Sequence, residues 1–404
     1  MRFLLADNAG CGYRSVLRNP LGELMTGLSW GLVGGGEGSQ IGFTHRAGAE
    51  LDRKFRLAAG AFDIQPTRSR AFGAGLGLNP KRVYGDWREM LAAETRRQDR
   101  LDLVTVATPN ASHFEIASAF LNAGFHVLCE KPLTTTRETA RQLSEIAAAS
   151  GRICAVNFGY TGYPMVRQMR GMVQRGELGD LRLIKSEFAA GFLADTEIDK
   201  NPRVGWRFDP EKAGVSFVMA DMGSHALHMA TFVTGRNVSR ICADFANGVA
   251  GRRLEDDAWV AFRLQGGIIG RLWVSGVALG RTHGLTFQLF GSKGGLSWKQ
   301  EHPEQLQWTP LGEATRILER GSPHLHAEAQ RANRITEGHP EGMVLAFANI
   351  YRDLAEAIAS DQLEHSTDSA NWAFPDVEEG RHMVDAVCAA AESSAEGCRW
   401  LRLS

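Results

Sequence analysis

Gly34 and Gly36 stand in the run Trp30-Gly31-Leu32-Val33-Gly34-Gly35-Gly36-Glu37-Gly38-Ser39, a short apolar stretch followed by a glycine turn. Strand, Gly-x-Gly, then helix is the arrangement that binds a dinucleotide. The first glycine permits the sharp turn, and the second lets the backbone approach the pyrophosphate. The helix N-terminus, here Ser39, Gln40 and Ile41, faces its negative charge. The third fingerprint position is Ser39 rather than glycine, and a plain βα turn reads these residues as well. Asp63 closes the next apolar run and can accept hydrogen bonds from ribose hydroxyls, although it lies further on than the usual ~20 residues. A carboxylate there repels a 2′-phosphate and favours NAD; Arg68 and Arg70 nearby keep NADP as the alternative.

Two further constellations carry chemistry. Ala107-Thr108-Pro109-Asn110-Ala111-Ser112-His113 and His126-Val127-Leu128-Cys129-Glu130-Lys131-Pro132-Leu133 each follow or close an apolar run. Gly214, Asp221 and His225 form Gly-x6-Asp-x3-His, and Asp and His at i and i+4 share one helix face. An imidazole titrates near neutrality and suits proton transfer. The plainer readings are a turn lysine at Lys131 and a helix-surface pair worth ~0.3–0.5 kcal/mol at Asp221 and His225. His228 adds a third metal-ligand type, but zinc needs three or four ligands and no further one stands nearby, so no metal is expected.

These residues need a scaffold. Strand-like runs at Trp30–Val33, Leu57–Phe62, Leu101–Ala107, Phe125–Cys129 and Arg152–Val156 alternate with helical stretches at Ile41–Phe55, His113–Ala123 and Arg137–Ser150. That alternation predicts βαβ units and a parallel sheet, with ligands at the carboxyl ends of its strands. After about residue 160 the pattern changes. Helices at Pro164–Arg175 and Met219–Val233 accompany strand-like runs at Leu181–Ala189, Ile241–Ala246, Ala258–Leu264, Ile268–Val274 and Thr286–Phe290, and helices return at Pro340–Ser360 and Val377–Ala395. Strands in series predict an antiparallel sheet in an α+β half. The expected organisation is an arm at 1–28, a dinucleotide-binding domain at 29–158 and a second domain at 159–404, whose last helices can pack back on the first. Met25 offers a second start.

The chain has 404 residues, and at ~150 residues per domain two domains are expected. Its 45 Lys and Arg against 46 Asp and Glu give a net charge of -1, which supports neither a nucleic-acid nor an anionic-membrane partner. No apolar run nears the ~20 residues of a membrane helix. The apolar start Phe3–Ala6 is shorter than the ~7–15 residues of an export signal. Six cysteines without a CxxC pair fit reduced thiols, so a cytoplasmic location is expected.

Taken together and in this order, the Ala107–His113 segment, the Cys129–Pro132 turn and the Asp221/His225 helix resemble the Gfo/Idh/MocA oxidoreductase family, from Trp30 to nearly the end of the chain. The resemblance implies a Rossmann domain with a doubly wound parallel sheet, a C-terminal α+β domain on an open, mainly antiparallel sheet, and an active site in the cleft between them. It implies NAD or NADP as cofactor, a sugar, anhydrosugar or cyclitol as substrate, and a homodimer or homotetramer through the second sheet. Lys131 matches the family's catalytic lysine, His225 its proton-transferring histidine and Asp221 the acidic residue beside it. Gly34, Gly36 and Asp63 match dinucleotide contacts; Thr108, Asn110 and His113 match residues beside the nicotinamide and diphosphate, with Glu130 in the adjoining turn. Asn157 is added to the cofactor set by its place after the last strand of the first domain. Tyr160, Trp206 and Arg207 are added to the substrate pocket as an aromatic and polar lining. Gly338–Gly342 also resembles a family segment near the substrate. A non-catalytic nucleotide sensor of the same fold and a metal-dependent hydrolase on Asp221, His225 and His228 are the competing readings.

Overall fold

The computed structural model describes residues 27–362 and 373–403. The expected arm therefore lies, up to residue 26, outside the described residues, as does Cys11.

The first half reads β1 (Leu28–Gly34), α1 (Gln40–Leu51), β2 (Phe55–Ala61), α2 (Pro66–Gly75), α3 (Trp87–Glu94), β3 (Leu103–Ala107), α4 (His113–Asn122), β4 (His126–Glu130), α5 (Arg137–Ser150) and β5 (Cys154–Asn157). The five strands form one parallel sheet in the order β2-β1-β3-β4-β5. Both faces are covered: Trp30 and Leu32 pack into one apolar cluster and Val33, Val104 and Val106 into another. This is why the strands read as continuous apolar runs. Two elements differ from the sequence expectation. The first helix ends at Leu51, because Arg53 takes a left-handed φ of 54° and Phe55 opens β2. The stretch between Asp63 and Leu101 holds two helices, α2 started by Pro66 and α3 capped by Asp86, whose carboxylate accepts the Arg88 and Glu89 amides at 2.8 Å.

The second half continues with α6 (Pro164–Gln174), β6 (Leu181–Ala189), two one-turn helices α7 (Pro202–Gly205) and α8 (Pro210–Ala213), and a π turn over Met219–Gly223 that runs directly into α9 (Ser224–Thr234). Then come β7 (Val238–Ala246), β8 (Asp257–Leu264), β9 (Ile269–Ser275), β10 (Leu285–Gly291), β11 (Gly294–Lys299), β12 (Gln305–Pro310), β13 (Arg316–Glu319), α10 (Ala327–Ala332), α11 (Gly342–Gln362), α12 (Val377–Ala395) and β14 (Leu401–Arg402). Nine strands form an open sheet in the order β13-β12-β11-β10-β6-β9-β8-β7-β14. Every neighbouring pair is antiparallel except β6 and β9, which run parallel. The inner face, with Ile184, Leu272, Phe287 and Leu296, is buried beneath α6 and α9; Leu183, Trp259 and Phe290 on the outer face are exposed. Helix α11 packs against α1 of the first half and sends Tyr351 between Trp30 and Phe55. No helix among the described residues is long and apolar enough to cross a membrane.

Candidate active site

The site begins at the turn between β1 and α1. Gly34 has φ +82°, and a Cβ there would lie 2.3 Å from the Ala107 carbonyl oxygen. The turn thus presses against the end of β3 as no other residue could. Ser39 caps α1: its hydroxyl accepts the Gly42 amide at 3.1 Å and its own N–H donates to the Gly36 carbonyl. The close helix packing that a third glycine would supply comes instead from Gly42, whose Cβ would sit 2.0 Å from the Gly35 carbonyl oxygen. The first turn of α1 holds no acidic side chain, and the amides of Gln40 and Ile41 have no acceptor within the helix. At the end of β2 the Asp63 carboxylate accepts the Gln65 amide at 2.9 Å and faces Arg68 at 3.3 Å. Arg70 is turned away, held bidentate by Glu89. This glycine cradle, capped helix end and acidic strand terminus fit a dinucleotide.

Across the sheet edge the two halves meet. The Lys131 ammonium donates to the Asp221 backbone carbonyl at 2.7 Å and to its Oδ1 at 2.5 Å. Asn110 donates to the Ala213 carbonyl at 3.3 Å, a second bond between the halves. Asp221 also faces Arg207 at 3.7 Å, and the Arg207 guanidinium lies over the Trp206 ring. Burial would raise the Asp221 pKa, but Lys131 and Arg207 outweigh it and hold the carboxyl well below its usual range. His225 follows one turn later, its ring edge-on to Tyr160 with centroids 4.8 Å apart and to Phe158 at 5.7 Å. Burial, followed by the Lys131 charge, depresses its pKa well below the ordinary imidazole value. His225 Nδ1 is buried with no hydrogen-bond partner among the described residues, which leaves Nε2 as the nitrogen that can exchange a proton.

The remaining expected residues have mixed surroundings. Thr108 accepts a bond from Ser112. His113 is fully buried between two loops, with Nδ1 2.9 Å from the Pro132 carbonyl oxygen and Nε2 2.8 Å from the Thr108 carbonyl oxygen. Glu130 and Asn157 face each other at the ends of β4 and β5, inside a buried network. Tyr160 is buried and its hydroxyl contacts His283 Nε2 at 2.8 Å. Gly338–Gly342 gathers around Arg320, which is bonded by Glu341 and the His339 carbonyl. His228 points away from Asp221: its Nε2 meets Glu379 at 2.6 Å and its ring stacks on Phe158. The Asp221, His225 and His228 set therefore does not converge on one point.

Two contributors escaped sequence reasoning. Glu255, buried at the start of the π turn, accepts the Phe217 and Met219 amides and the Ser216 hydroxyl. It is a carboxylate at a helix N-terminus, holding the segment that carries Asp221 and His225. His283, in the loop before β10, joins the aromatic cluster around His225. Neither has a local signal, since the partners of each lie many residues away.

Residues 28–158 match the oxidoreductase family's NAD-binding Rossmann fold, and residues 166–297 match the GFO/IDH/MocA C-terminal domain. The chain belongs to the Gfo/Idh/MocA oxidoreductase family. It is 35% identical over 378 residues to the uncharacterized oxidoreductase YfiI of Bacillus subtilis, covering 93% of this chain and 96% of that protein. The crystal structure of an inositol dehydrogenase homolog from Azotobacter vinelandii complexed with NAD+ superposes with a TM-score of 0.91 at 39% identity, over 94% of this chain and 98% of that one. The same homolog complexed with NADH and myo-inositol gives 0.88 at 38%, with the same coverage. The protein is thus an oxidoreductase whose first half is the family's NAD-binding domain.

Proposed function

We propose that the protein transfers a hydride between a secondary hydroxyl of a cyclitol or sugar and NAD, with His225 exchanging the hydroxyl proton and Lys131 stabilising the oxygen. The observation that carries this is the bond from Lys131 Nζ to Asp221 Oδ1 at 2.5 Å, which ties the first half to the helix face bearing His225. The nicotinamide, when bound, accepts or returns the hydride. A lysine ammonium has three protons. Two are committed to Asp221, and the third remains for a substrate oxygen as alkoxide character develops. The depressed His225 pKa keeps the imidazole neutral at pH 7, ready to take the hydroxyl proton at Nε2. Asp221 holds Lys131 and Arg207 in place through opposite charge.

NAD is the preferred cofactor in this reading. Asp63 would accept from the ribose hydroxyls, while Arg68 pairs with Asp63 rather than standing free for a phosphate. Thr108, Asn110 and the first turn of α1 border the cofactor; Tyr160, Trp206, Arg207 and the added His283 border the substrate. Cyclitols are the first class to try, because a homolog was solved with myo-inositol. Anhydrosugars come second, since levoglucosan dehydrogenase of Pseudarthrobacter phenanthrenivorans is 26% identical over 70% of this chain. The test follows nicotinamide absorbance with NAD and NADP separately against inositols, monosaccharides and anhydrosugars. Turnover should be lost in Lys131→Ala and in His225→Ala while NAD binding persists. Near-full turnover in either variant would defeat the assignment, and cofactor binding with no turnover on any class would favour a sensor.

A further inference from the structure

The turn that carries Lys131 is anchored from a distant part of the chain. Glu130, the last residue of β4, is buried, and its Oε2 accepts the Lys131 backbone amide at 3.1 Å. Its Oε1 meets His45 Nε2 at 3.0 Å and the Asn157 amide nitrogen. His45 Nδ1 lies 2.8 Å from the Tyr351 hydroxyl, which lies 2.9 Å from the Thr105 hydroxyl, which accepts the Trp30 indole N–H at 2.8 Å.

The donor inventory fixes the two ends of this chain. The Trp30 indole can only donate, so the Thr105 hydroxyl accepts from it. The Glu130 carboxylate can only accept, so His45 donates to it from Nε2, and the Tyr351 hydroxyl bridges Thr105 and His45 Nδ1 between these two ends. Although burial would raise the Glu130 pKa, the His45 bond and the Lys131 charge hold it below its usual range. Each bond polarises the next.

We propose that Tyr351, His45 and Glu130 act as one positioning unit, by which α11 fixes the backbone of Lys131. This rests on the reading of Lys131 given above. None of the three need touch substrate; they act through the lysine turn. Tyr351→Phe removes one hydroxyl and keeps the ring that packs edge-on against Trp30 and Phe55. Glu130→Gln keeps shape but places an NH2 group where only an acceptor serves.

The test measures kcat, KM and NAD affinity at a temperature below every variant's melting point. Tyr351→Phe should lower kcat about tenfold, a loss of the size that slight misplacement of a reacting group produces, with NAD affinity and KM within about twofold. The Tyr351→Phe, Glu130→Gln double variant should lose no more than Glu130→Gln alone, because members of one unit are not additive. Unchanged kcat in Tyr351→Phe, a kcat loss matched by lost NAD affinity, or additive losses in the double variant would each overturn the unit. Lys131→Ala is the separate control. If it retains turnover, the reading of Lys131 fails first, whatever Tyr351→Phe does. Should Glu130→Gln not fold, Tyr351→Phe with its kcat-against-KM split decides alone.

Discussion

His225 gives the most direct test at the level of single side chains. Its folded pKa lies below the ordinary value of about 6.5, so between the two values the unfolded chain binds a proton that the folded chain does not. Stability therefore rises with pH across that window, and the contribution is lost as pH falls through it. The same displacement puts the acid limb of kcat/KM for alcohol oxidation below pH 6.5, which a pH-rate profile checks. Asp63 offers a second test. In Asp63→Ala the Arg68 guanidinium loses its partner and the 2′-phosphate loses its repulsion. The NADP-to-NAD ratio of kcat/KM should rise about tenfold, or ~1.4 kcal/mol, measured by initial rates with each cofactor. Lys131, Asp221 and His225 were legible in the sequence because a strand-ending turn and an i, i+4 pair are local patterns. Glu255 and His283 were not, because nothing within a turn of either says which distant group it meets.

Elements carry the next layer. The glycine fingerprint is incomplete when read by position, yet the turn is complete in space, because Gly42 takes over the close packing one turn into α1. Gly42→Ala should destabilise the protein by about 1–3 kcal/mol, the range for forcing extra atoms into a packed site, and weaken NAD binding. Thermal unfolding and calorimetric NAD titration report the two effects. Elements with strong caps or periodicity, such as Arg137–Ser150 and Val377–Ala395, could be bounded from sequence. The helix at Pro66–Gly75 was not read, since two glycines and few buried residues leave little periodic signal. Strands β11 to β13 were not read: β11 opens on two glycines and β13 spans only four residues, and the alternation of Gln305-Leu306-Gln307-Trp308-Thr309 in β12 went unread between them.

At the scale of the molecule, the parallel sheet and the open second sheet followed from the switch between the two hydrophobic patterns. What the pattern could not reveal is how the halves are fastened: α11 and α12 pack back on α1 and α5, with Ile350, Leu354 and Ile358 sharing a core with Trp30, Leu32 and Phe55, and long-range bonds such as Lys131 to Asp221 and His45 to Tyr351 add to this. The outer face of the nine-stranded sheet bears Trp259, 58% exposed and stacked on Trp273. We expect a second copy of the chain to cover it, as the family resemblance implies, and Trp259→Arg should then shift sedimentation toward smaller species. The parallel pairing of β6 with β9 has a further consequence. Both strands sit side by side, yet the chain between them leaves the sheet, builds the π turn and α9, and returns through β7 and β8. The helix that bears His225 is therefore part of a loop pinched shut at its base by two neighbouring strands, and closing so wide a loop is slow. On dilution from denaturant, backbone ellipticity should return ahead of turnover, and the lag between them would time the closing of that clasp.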